Sequence, residues 1–527
     1  MNLPPSDGSQ ENKDSEATSG APQAERRQRQ RSVADVRGRA LPEESLSVDH
    51  TSGRTLSDQL YDGIQQAIIT AQFMAGQRMP SSRELAEQLQ ISRAIVTDCY
   101  AQLVSEGYLD ARAGSGTFVA WQLPADEQNE PGEGEHTGDT QLRLSNFGQA
   151  LALAHRESHV SYESAINLSR CQPALDHEFM FEWARVVGRC CRRMDYSQVT
   201  SHNDSLGYLP LREAIARRQD RLRGAKCSAS QVMILSGATQ AFDLVARLHV
   251  EKGDNVRVEN PGKSDVWAIF TANGANICPA AVDEAGVVVS SLGKLSDRCD
   301  RLVYVTPAHQ FPTGVVLALR RRLELLSWAD RHGTFILEDD RDSEFRYCGK
   351  PIPALQGLDK NGSIIYLGSF ATTMFPAVSI AYLVLPLMLV PFYARVATLL
   401  ADQVPLLLQD AMSEFIEGGY LDRHVKELRS LYQQRRLAMV NSLNKHLESR
   451  VTVHGDNAGL SMIVQFHTEL SDCEIAEKAA RCGVGIISTA GYYSGNGMSG
   501  QFILGFGDLS LEQIDEGIGR LAGVLVK

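Results

Sequence analysis

The chain has 527 residues, which is too long for a single hydrophobic core, so two or more domains are expected. Its hydrophobic share of 43% and charged share of 22% are those of an ordinary globular protein, which excludes a largely disordered or membrane-embedded chain. The formal net charge of −12 excludes a wholly basic nucleic-acid coat, but it is compatible with a small DNA-reading domain on a larger acidic body.

The ten cysteines are scattered, with no C-x-x-C pair and no Cys/His cluster at metal-ligand spacing. This pattern predicts reduced thiols and no metal site. No apolar stretch is long enough to cross a bilayer, and the N-terminus lacks the apolar core of a signal peptide. We therefore expect a cytoplasmic protein without membrane contact.

The first 51 residues are rich in Ser, Gln, Glu, Pro and Arg and contain few large apolar side chains. This composition predicts a disordered tail over residues 1–51. A basic run at residues 25–32 (ERRQRQRS) is most simply a solvated part of that tail. The alternative is an auxiliary arm that contacts DNA phosphates.

Residues 52–122 carry the pattern of three short helices followed by a hairpin. Apolar residues from Leu56 to Ile68 recur at helical spacing, Ser81 can cap a second helix, and Ser92 can cap a third. Residues 107–119 predict two strands around a glycine-rich tip. Three helices and a hairpin in this order indicate a winged helix-turn-helix domain.

The motifs of this segment fall in the order and spacing of the GntR family of regulators, which it resembles. They are MPSSR at residues 79–83, LA at 85–86, SR at 92–93, EGYL at 106–109 and GSGTFV at 114–119. The resemblance implies that the third helix enters the major groove of DNA. The residues then expected at bases, phosphates or the sugar-phosphate chain are Arg83, Ser92, Arg93, Gly114 and Ser115. The alternative is a three-helix protein interaction module in which Arg83 and Arg93 are ordinary surface arginines.

The rest of the chain divides into a linker and an α/β body. Residues 123–160 begin with an acidic, glycine-bearing stretch (ADEQNEPGEGEHTGD, 125–139), which predicts a flexible acidic linker. Residues 161–527 alternate continuously apolar strands with helical patterns, which is typical of a largely parallel sheet buried on both faces. The predicted strands are residues 232–236, 255–259, 301–306, 334–338 and 363–368.

Four segments of the body resemble fold-type I aminotransferases that depend on pyridoxal phosphate (PLP), in the form carried by the MocR subfamily of GntR regulators. They are SGATQA at 236–241, TPAHQFPTG at 306–314, LEDDRDSEFRY at 337–347 and SIIYLGSFATTMFPAVSIAY at 363–382. The resemblance covers nearly all of residues 167–527 and implies a homodimer with a large subdomain at about 205–400 and a small subdomain in the remainder. It also implies that the turn of Gly237, Ala238 and Thr239 cradles a phosphate, and that Asp339 pairs with a pyridine nitrogen.

The chain departs from this family at the positions that contact the cofactor. Thr372 stands where the family has its Schiff-base lysine, and Ser379 stands where it has the arginine that binds the cofactor phosphate. Arg341 replaces a tyrosine, and Lys263 replaces the aromatic residue that stacks on the ring. A threonine hydroxyl cannot condense with an aldehyde, so we predict no covalent PLP, no catalytic residue and no aminotransferase activity.

These departures exchange the charges of the pocket and leave three interpretations. In the first, Arg341 pairs with Asp339 or Asp342 while Lys263 points to solvent. In the second, the cleft binds a small anionic metabolite held by Arg341 and Lys263. In the third, Lys263 serves as a replacement Schiff-base lysine. A further ionic contact is expected to be missing at Ile503, which aligns with a family arginine that binds substrate carboxylates.

The sequence therefore predicts a sequence-specific, DNA-binding transcriptional regulator of the MocR type. Its body would bind an effector and form the homodimer. One alternative is a regulator that retains PLP non-covalently at Asp339 and the turn at residues 236–240. The others are an active PLP aminotransferase with an attached head, and a regulator without ligand that uses its body only for dimerisation.

Overall fold

The computed structural model describes residues 46–120, 144–154, 164–195, 204–293, 300–347, 349, 351–400 and 404–525. The chain forms two compact units, Met1–Gln141 and Leu142–Lys527, which we call the head and the body. Most of the predicted tail (1–45), with its basic run at residues 25–32, and most of the predicted linker (123–143 and 155–160) lie outside the described residues.

The head is a winged helix-turn-helix domain, as predicted. Its elements are α1 (Leu56–Ile69), α2 (Ser82–Leu89), α3 (Arg93–Ser105), β1 (Leu109–Arg112) and β2 (Gly116–Val119). The Ser81 side chain accepts a hydrogen bond from the backbone N–H of Glu84, whose carboxylate accepts one from the backbone N–H of Ser81. This reciprocal cap begins α2 where the sequence predicted it. The Ser92 side chain caps α3 by accepting a hydrogen bond from the N–H of Ile95, without a reciprocal side-chain bond.

The head core shows that the predicted tail was drawn too long. The predicted apolar stripes of α1 and α3 are buried in it, including Ile64, Val96 and Leu103. Leu46 and Val48 pack against the same core, so residues 46–51 belong to the head. The composition of the whole N-terminal stretch concealed these two apolar side chains at its end.

The predicted flexible linker is also wrong over its last described part, because residues 146–154 form a helix. This helix, α4 (Asn146–Ala154), has the apolar sequence NFGQALALA and packs against a helix of the body, α8 (Ser264–Ala272). The Arg247 guanidinium lies 5.8 Å from the centre of the Phe147 ring. The apolar side chains of this segment favour its docking on the body.

An eight-stranded sheet forms the centre of the body, with the order β4-β11-β10-β9-β8-β5-β6-β7. Its strands are β4 (Val232–Leu235), β5 (Asn255–Asn260), β6 (Asn276–Asp283), β7 (Gly286–Val287), β8 (Asp300–Val305), β9 (Phe335–Asp339), β10 (Ile364–Ser369) and β11 (Ala381–Val384). The pairs joining β10, β9, β8, β5 and β6 are parallel, whereas β11 is antiparallel to both β4 and β10. The five predicted strands are confirmed to within one or two residues.

Helices cover both faces of this sheet, and each face has its own hydrophobic cluster. The helices that precede or follow the strands are α5 (His177–Arg193), α6 (Leu209–Arg223), α7 (Ala238–His249), α9 (Leu319–His332), α10 (Val390–Leu400) and α11 (Leu406–Glu417). Every residue of β4 and β11 is buried, as are all but the last of β10. Burial on both faces explains why these strands are apolar without alternation.

A small subdomain completes the body. The long helix α12 (Tyr420–Leu447) leads into a sheet of order β12-β13-β16-β15, and further helices are α13 (Asp472–Arg481) and α14 (Leu511–Leu525). Its strands are β12 (Val451–His454), β13 (Ser461–Phe466), β15 (Ile487–Ser488) and β16 (Gln501–Gly505). A separate parallel pair joins β3 (Ile166–Asn167) to β14 (Val484–Gly485).

The direction of the central strands determines where a ligand site can form. Strands β4, β5, β8, β9 and β10 point the same way, so the loops after them meet at one edge of the sheet. Two of the four family-like segments (236–241 and 306–314) follow the ends of β4 and β8, and the other two (337–347 and 363–382) include the ends of β9 and β10 and the loops after them. Open α/β sheets place their ligands at this carboxyl edge.

Candidate DNA-reading surface and effector cleft

The two predicted arginines of the helix-turn-helix lie close to the turn. Arg93 is the first residue of α3, and its Nε donates a hydrogen bond to the Ser82 hydroxyl at the start of α2 (3.2 Å). The Arg83 side chain is 79% exposed and forms a surface ion pair with Glu87 (3.3 Å). Surface pairs of this kind contribute little to stability, so Glu87 restrains the Arg83 side chain only weakly.

Glycine is needed at the tip of the wing between β1 and β2. Gly114 and Gly116 have φ of +74° and +113°, values at which other residues are strained. A Cβ on Gly116 would also lie 3.0 Å from the Arg78 Nε. Ser115 lies between the two glycines and donates its N–H to the Arg112 carbonyl (3.0 Å).

Sequence reasoning missed two arginines beside this wing. Arg78 forms a bridge to Phe118 in β2, and the Arg112 guanidinium lies 4.8 Å from the centre of the Phe118 ring. The sequence offered little signal for either, because Arg78 precedes the motif at residues 79–83 and Arg112 lies in a short strand. Arg78 brings positive charge to the side of the head that carries Gly114, whereas the Arg112 guanidinium is paired with Asp110 (3.0 Å).

In the body, Asp339 is the last residue of β9 and is 6% exposed. Its Oδ2 accepts a hydrogen bond from the hydroxyl of Tyr304, which is fully buried in the neighbouring strand β8 (2.8 Å). Tyr304 was not singled out from the sequence, because it lies within an apolar strand. A buried carboxylate at this position needs further compensation of its charge.

Lys263 supplies that compensation. It precedes α8, and its Nζ lies 3.6 Å from Asp339 Oδ2 and 5.2 Å from the centre of the Phe242 ring. Its side chain is 20% exposed, so the expectation that Lys263 points to solvent is wrong. Burial holds the pKa of Lys263 below its usual range, although the Asp339 carboxylate opposes that shift.

Arg341 pairs with a different carboxylate. Its Nε lies 3.3 Å from Asp342 Oδ2, which confirms the pairing with Asp342 that the first interpretation allowed. The Arg341 guanidinium lies 4.9 Å from the centre of the Phe311 ring, and its side chain is 25% exposed. The guanidinium is therefore held between a carboxylate and an aromatic face.

Lys263 and Arg341 line one cleft of about 270 Å³, as the second interpretation required of them. The other lining residues are Ser169, Arg170, Cys171, Gln172, Ser264, Asp265, Phe311, Ile487, Tyr492 and Ile503. The presence of Ile503 agrees with the loose alignment that placed it in the pocket. Arg170 and Tyr492 were missed, because they come from distant parts of the chain and carry no motif.

The turn of Gly237, Ala238 and Thr239, which the family resemblance assigns to phosphate binding, begins a helix but faces the neutral side chain of Ser379. Gly237 precedes α7 with φ +90°, and Ala238 and Thr239 form the first turn of that helix. The Ser236 N–H donates to Gln240 Oε1 (2.6 Å). The Ser379 hydroxyl lies 3.2 Å from where a Cβ on Gly237 would stand, so the structure brings the two positions together.

Thr372 lies in the loop after β10, the strand that pairs with β9 and therefore adjoins Asp339. Its side chain is half-buried, whereas the neighbouring Thr373 is fully buried. The loop thus presents position 372, rather than 373, to its surroundings. A hydroxyl at this position can donate or accept a hydrogen bond but cannot form an imine.

Glu259 is a second buried carboxylate near the site, and it was not predicted as a site residue. It accepts hydrogen bonds from the Thr306 hydroxyl (2.6 Å), the Thr306 N–H (3.1 Å) and Gln310 Nε2 (3.3 Å). Burial raises the pKa of Glu259 to about 7, and the nearby Asp339 charge acts in the same direction. Two buried carboxyl groups therefore lie at the inner end of the site. Asp339 is paired with the Lys263 cation, whereas Glu259 is contacted by the hydrogen-bond donors of Thr306 and Gln310.

Comparison with known proteins agrees with both units. Residues 56–119 match the gntR family of bacterial regulatory proteins, and residues 147–521 match the class I and II aminotransferases. The second match begins inside α4, in agreement with the docking of that helix on the body.

Full-length relatives have the same two-part construction. The chain is 32% identical over 476 residues to a probable rhizopine catabolism regulatory protein, MocR, of Rhizobium meliloti, with 90% of this chain and 95% of that protein covered. It is 27% identical over 454 residues to the pyridoxine biosynthesis transcriptional regulator PdxR of Corynebacterium glutamicum, with 86% and 92% covered.

Among solved structures, a kynurenine aminotransferase from Pyrococcus horikoshii superposes with a TM-score of 0.63 at 25% identity. The superposition covers 73% of this chain and 95% of that enzyme. The fold and site thus define a GntR-type DNA-binding domain joined to a fold-type I aminotransferase-like domain. The chain belongs to the MocR-type, GntR-family transcriptional regulators.

Among the residues that the structure describes, no group of His, Cys, Asp and Glu side chains could hold a metal ion. Within the same described ranges, no helix has the length and apolar character needed to cross a membrane.

Proposed function

We propose that this protein is a sequence-specific regulator that reads its operator through α3 and the wing, and whose body binds an effector without covalent PLP. One observation carries the proposal. A GntR head with an accessible arginine at the start of its recognition helix is joined to an aminotransferase-like body that has a hydroxyl at the position of the reactive amine.

The arrangement of charge in the head supports DNA reading. Among residues 54–120 there are five arginines and seven acidic residues, so the head has no general positive charge. Four of the five arginines nevertheless lie at the turn or the wing: Arg78, Arg83, Arg93 and Arg112. Arg93 is placed to contact a base edge, while Ser92 and the Gly114–Ser115 tip are suited to phosphate and sugar.

The chemistry of the body supports an inactive site. Thr372 cannot supply an amine, and Ser379 at the Gly237 turn cannot supply the charge that a phosphate dianion would require. Losing a charge-assisted hydrogen bond there costs about 1.5–3 kcal/mol, which is roughly 10–100-fold in affinity. The residues present therefore do not fit PLP, and we assign the body no catalytic residue.

The cleft is the proposed effector site, and a small anionic metabolite is the proposed ligand. Arg341 and Lys263 both line it, and Arg170 adds a third cation to its lining. Because Asp342 and Asp339 already face the two inner cations, an anion must compete with these carboxylates. The apolar side chains of Ile487 and Ile503 would contact a nonpolar part of the ligand.

The body is also the proposed dimerisation module. Four large apolar side chains on and just before α10 are between 64% and 77% exposed, namely Leu387, Met388, Phe392 and Leu399. A concentration of exposed apolar residues of this kind is typical of a protein interface. A second copy of the chain is the proposed occupant, which would place two heads at paired half-sites.

A physical route from cleft to linker supports regulation. Lys263 in the cleft immediately precedes α8, and α8 carries the docked helix α4 at the end of the linker. A ligand that moves Lys263 would alter the first turn of α8 and the surface of α8 on which α4 packs. Such a shift changes the population of head arrangements that can bind DNA. A cytoplasmic location follows from this role and remains part of the proposal.

The test is DNA binding by the full chain, with and without candidate anions. Operator fragments selected from random DNA should bind at submicromolar concentration, which is tighter than roughly 10⁻⁶ M, the strong end of non-specific binding. An anionic effector should shift that affinity in the parent and leave a Lys263→Ala, Arg341→Ala double variant unaffected. Equal binding to every DNA sequence would overturn the regulator, and an undiminished response in the double variant would overturn the cleft.

A further inference from the structure

The buried carboxylate of Asp339 faces a cation from the protein itself, the kind of partner that a bound cofactor would otherwise supply. Asp339 accepts a hydrogen bond from Tyr304, which is neutral, and lies 3.6 Å from the Lys263 ammonium group, which is a cation. A buried carboxylate without a cation is strongly destabilised, whereas one with a close cation is tolerated. Lys263 therefore removes the need for any external positive charge at this point.

The position of the ammonium group is held from two sides. Asp339 lies on one side and the ring of Phe242, at 5.2 Å from Nζ, lies on another. Aromatic faces attract ammonium groups, and the attraction is larger where water is excluded. Burial lowers the pKa of Lys263, whereas the Asp339 carboxylate acts in the opposite direction and favours the charged ammonium group.

We propose that the ammonium group of Lys263 takes the place of the protonated ring nitrogen of PLP at Asp339, so that the chain closes its own cofactor cradle. This inference rests on the proposed loss of covalent PLP and extends it. The fold family uses a carboxylate at this position to pair with the pyridinium of a bound cofactor. Here a side chain of the protein forms that ion pair.

The same geometry argues against the third interpretation, in which Lys263 replaces the missing Schiff-base lysine. In PLP the ring nitrogen and the aldehyde carbon lie para to each other, at opposite ends of the ring. An amine that contacts the ring-nitrogen partner stands at the wrong end to reach the aldehyde. The internal ion pair also disfavours non-covalent PLP, because the incoming ring would have to displace a tethered cation.

A double-variant cycle on the full chain tests this ion pair. Lys263→Met and Asp339→Asn should each lower the midpoint of thermal unfolding of the body by about 2 °C or more, because each leaves one buried charge unpaired. The combined variant should recover most of that loss. Lys252→Met, at an exposed lysine of the same subdomain, is the matched control and should leave the midpoint unchanged. Additive losses in the combined variant would overturn the proposal.

Chemical rescue provides a second readout that does not depend on the combined variant. Lys263→Ala removes the side chain, and propylammonium supplies the missing ammonium and three carbons. Its chloride should raise the unfolding midpoint of Lys263→Ala above the value in equal sodium chloride, while the parent shows no such difference. An identical response of parent and variant would overturn the proposal.

Both experiments measure stability alone, so they are separable from the proposed function. A parent chain that binds its operator but shows additive losses would retain the regulator and lose the internal ion pair. A chain that binds no DNA selectively but shows strong coupling would retain the ion pair and lose the regulator.

Discussion

The head and the body of this chain relate differently to the families they belong to. In the head, the residues expected to contact DNA stand in their family positions, on a scaffold that the structure confirms. In the body, the scaffold is equally complete, but four positions that would contact the cofactor carry other side chains: Lys263, Arg341, Thr372 and Ser379. The difference shows that a fold can persist when the side chains at its ligand-facing positions change.

The physical reason lies in where each unit keeps its stabilising contacts. The sheet of the body is stabilised by apolar residues buried on both faces, none of which is a cofactor ligand. The changed residues lie at the carboxyl edge of that sheet, and two of them form new ion pairs with Asp339 and Asp342. The new cations thus compensate the charges of the buried carboxylates beside them.

Restoring the lost groups would test this contrast with the largest effect. Thr372→Lys with Ser379→Arg returns the amine and the phosphate ligand but leaves Lys263 on Asp339. We expect this pair to bind PLP at least about 100-fold more weakly than the same pair combined with Lys263→Phe, because only the latter frees Asp339. The visible absorption of bound PLP measures the affinity, and equal affinities would show that Lys263 does not block the cradle.

The pH dependence of stability should also separate the two units. Because the pKa of Glu259 is about 7 in the folded body and 4.5 is its ordinary value, the folded state holds the proton more tightly than the unfolded state. Stability that Glu259 contributes is therefore present below pH 4.5 and lost as pH rises through about 7, by on the order of 3 kcal/mol.

Glu259→Gln should flatten this part of the stability profile of the body, measured by denaturant unfolding between pH 5 and 8. Glu338, whose pKa burial also raises to about 7, will leave some slope in the variant. Glu87→Gln, an exposed position in the head, serves as the control. An unchanged slope in Glu259→Gln would show that this carboxyl group does not titrate in the range.

In the head, Arg93→Ala should weaken operator binding roughly 10–100-fold, as expected for one specific base contact worth about 1–3 kcal/mol. Arg54→Ala is the matched control. Arg54 is also an exposed arginine of the head, but it lies before α1, away from the turn and the wing, and pairs with Asp62 (2.6 Å). Fluorescence anisotropy with labelled operator DNA gives both affinities. Operator affinity equal to that of the parent in Arg93→Ala would remove Arg93 from the reading surface.

The smallest expected effect concerns the serine–glutamate cap that begins one helix in the head and one helix in the body. Ser81 caps α2 in the head and Ser471 caps α13 in the body, each with a glutamate three residues later. Ser81→Ala should destabilise the head, and Ser471→Ala the body, by about 1 kcal/mol each. Hydrogen exchange resolved by peptide locates each loss, and a loss that spreads through both units would show that they unfold together.

Much of this architecture was predictable from the sequence because its signals are local. Continuous apolar runs gave five strands to within one or two residues, and serines before apolar stripes gave the starts of α2 and α3. The motif alignment also brought Lys263, Arg341 and Ile503 into one cleft, which the structure confirms. Patterns of burial and capping are written in neighbouring residues, so they can be read without the fold.

The remaining features depend on contacts between distant segments. The direction of Lys263 depends on Asp339 and Phe242, which lie on other strands and helices. Arg170 and Tyr492 reach the cleft from opposite ends of the body, and neither has a motif. Helix α4 was assigned to the linker because the acidic stretch before it dominated the composition, although its own residues are apolar.

Titration of the purified parent chain with PLP tests the central claim most directly. Visible absorption should show no bound cofactor, and intact mass after borohydride reduction should show no stoichiometric phosphopyridoxyl group, because position 372 has no amine. Peptide mapping distinguishes scattered reaction of surface lysines from one specific site. A single adduct per chain, on Lys263 or any other one lysine, would contradict the account and return covalent PLP to this regulator.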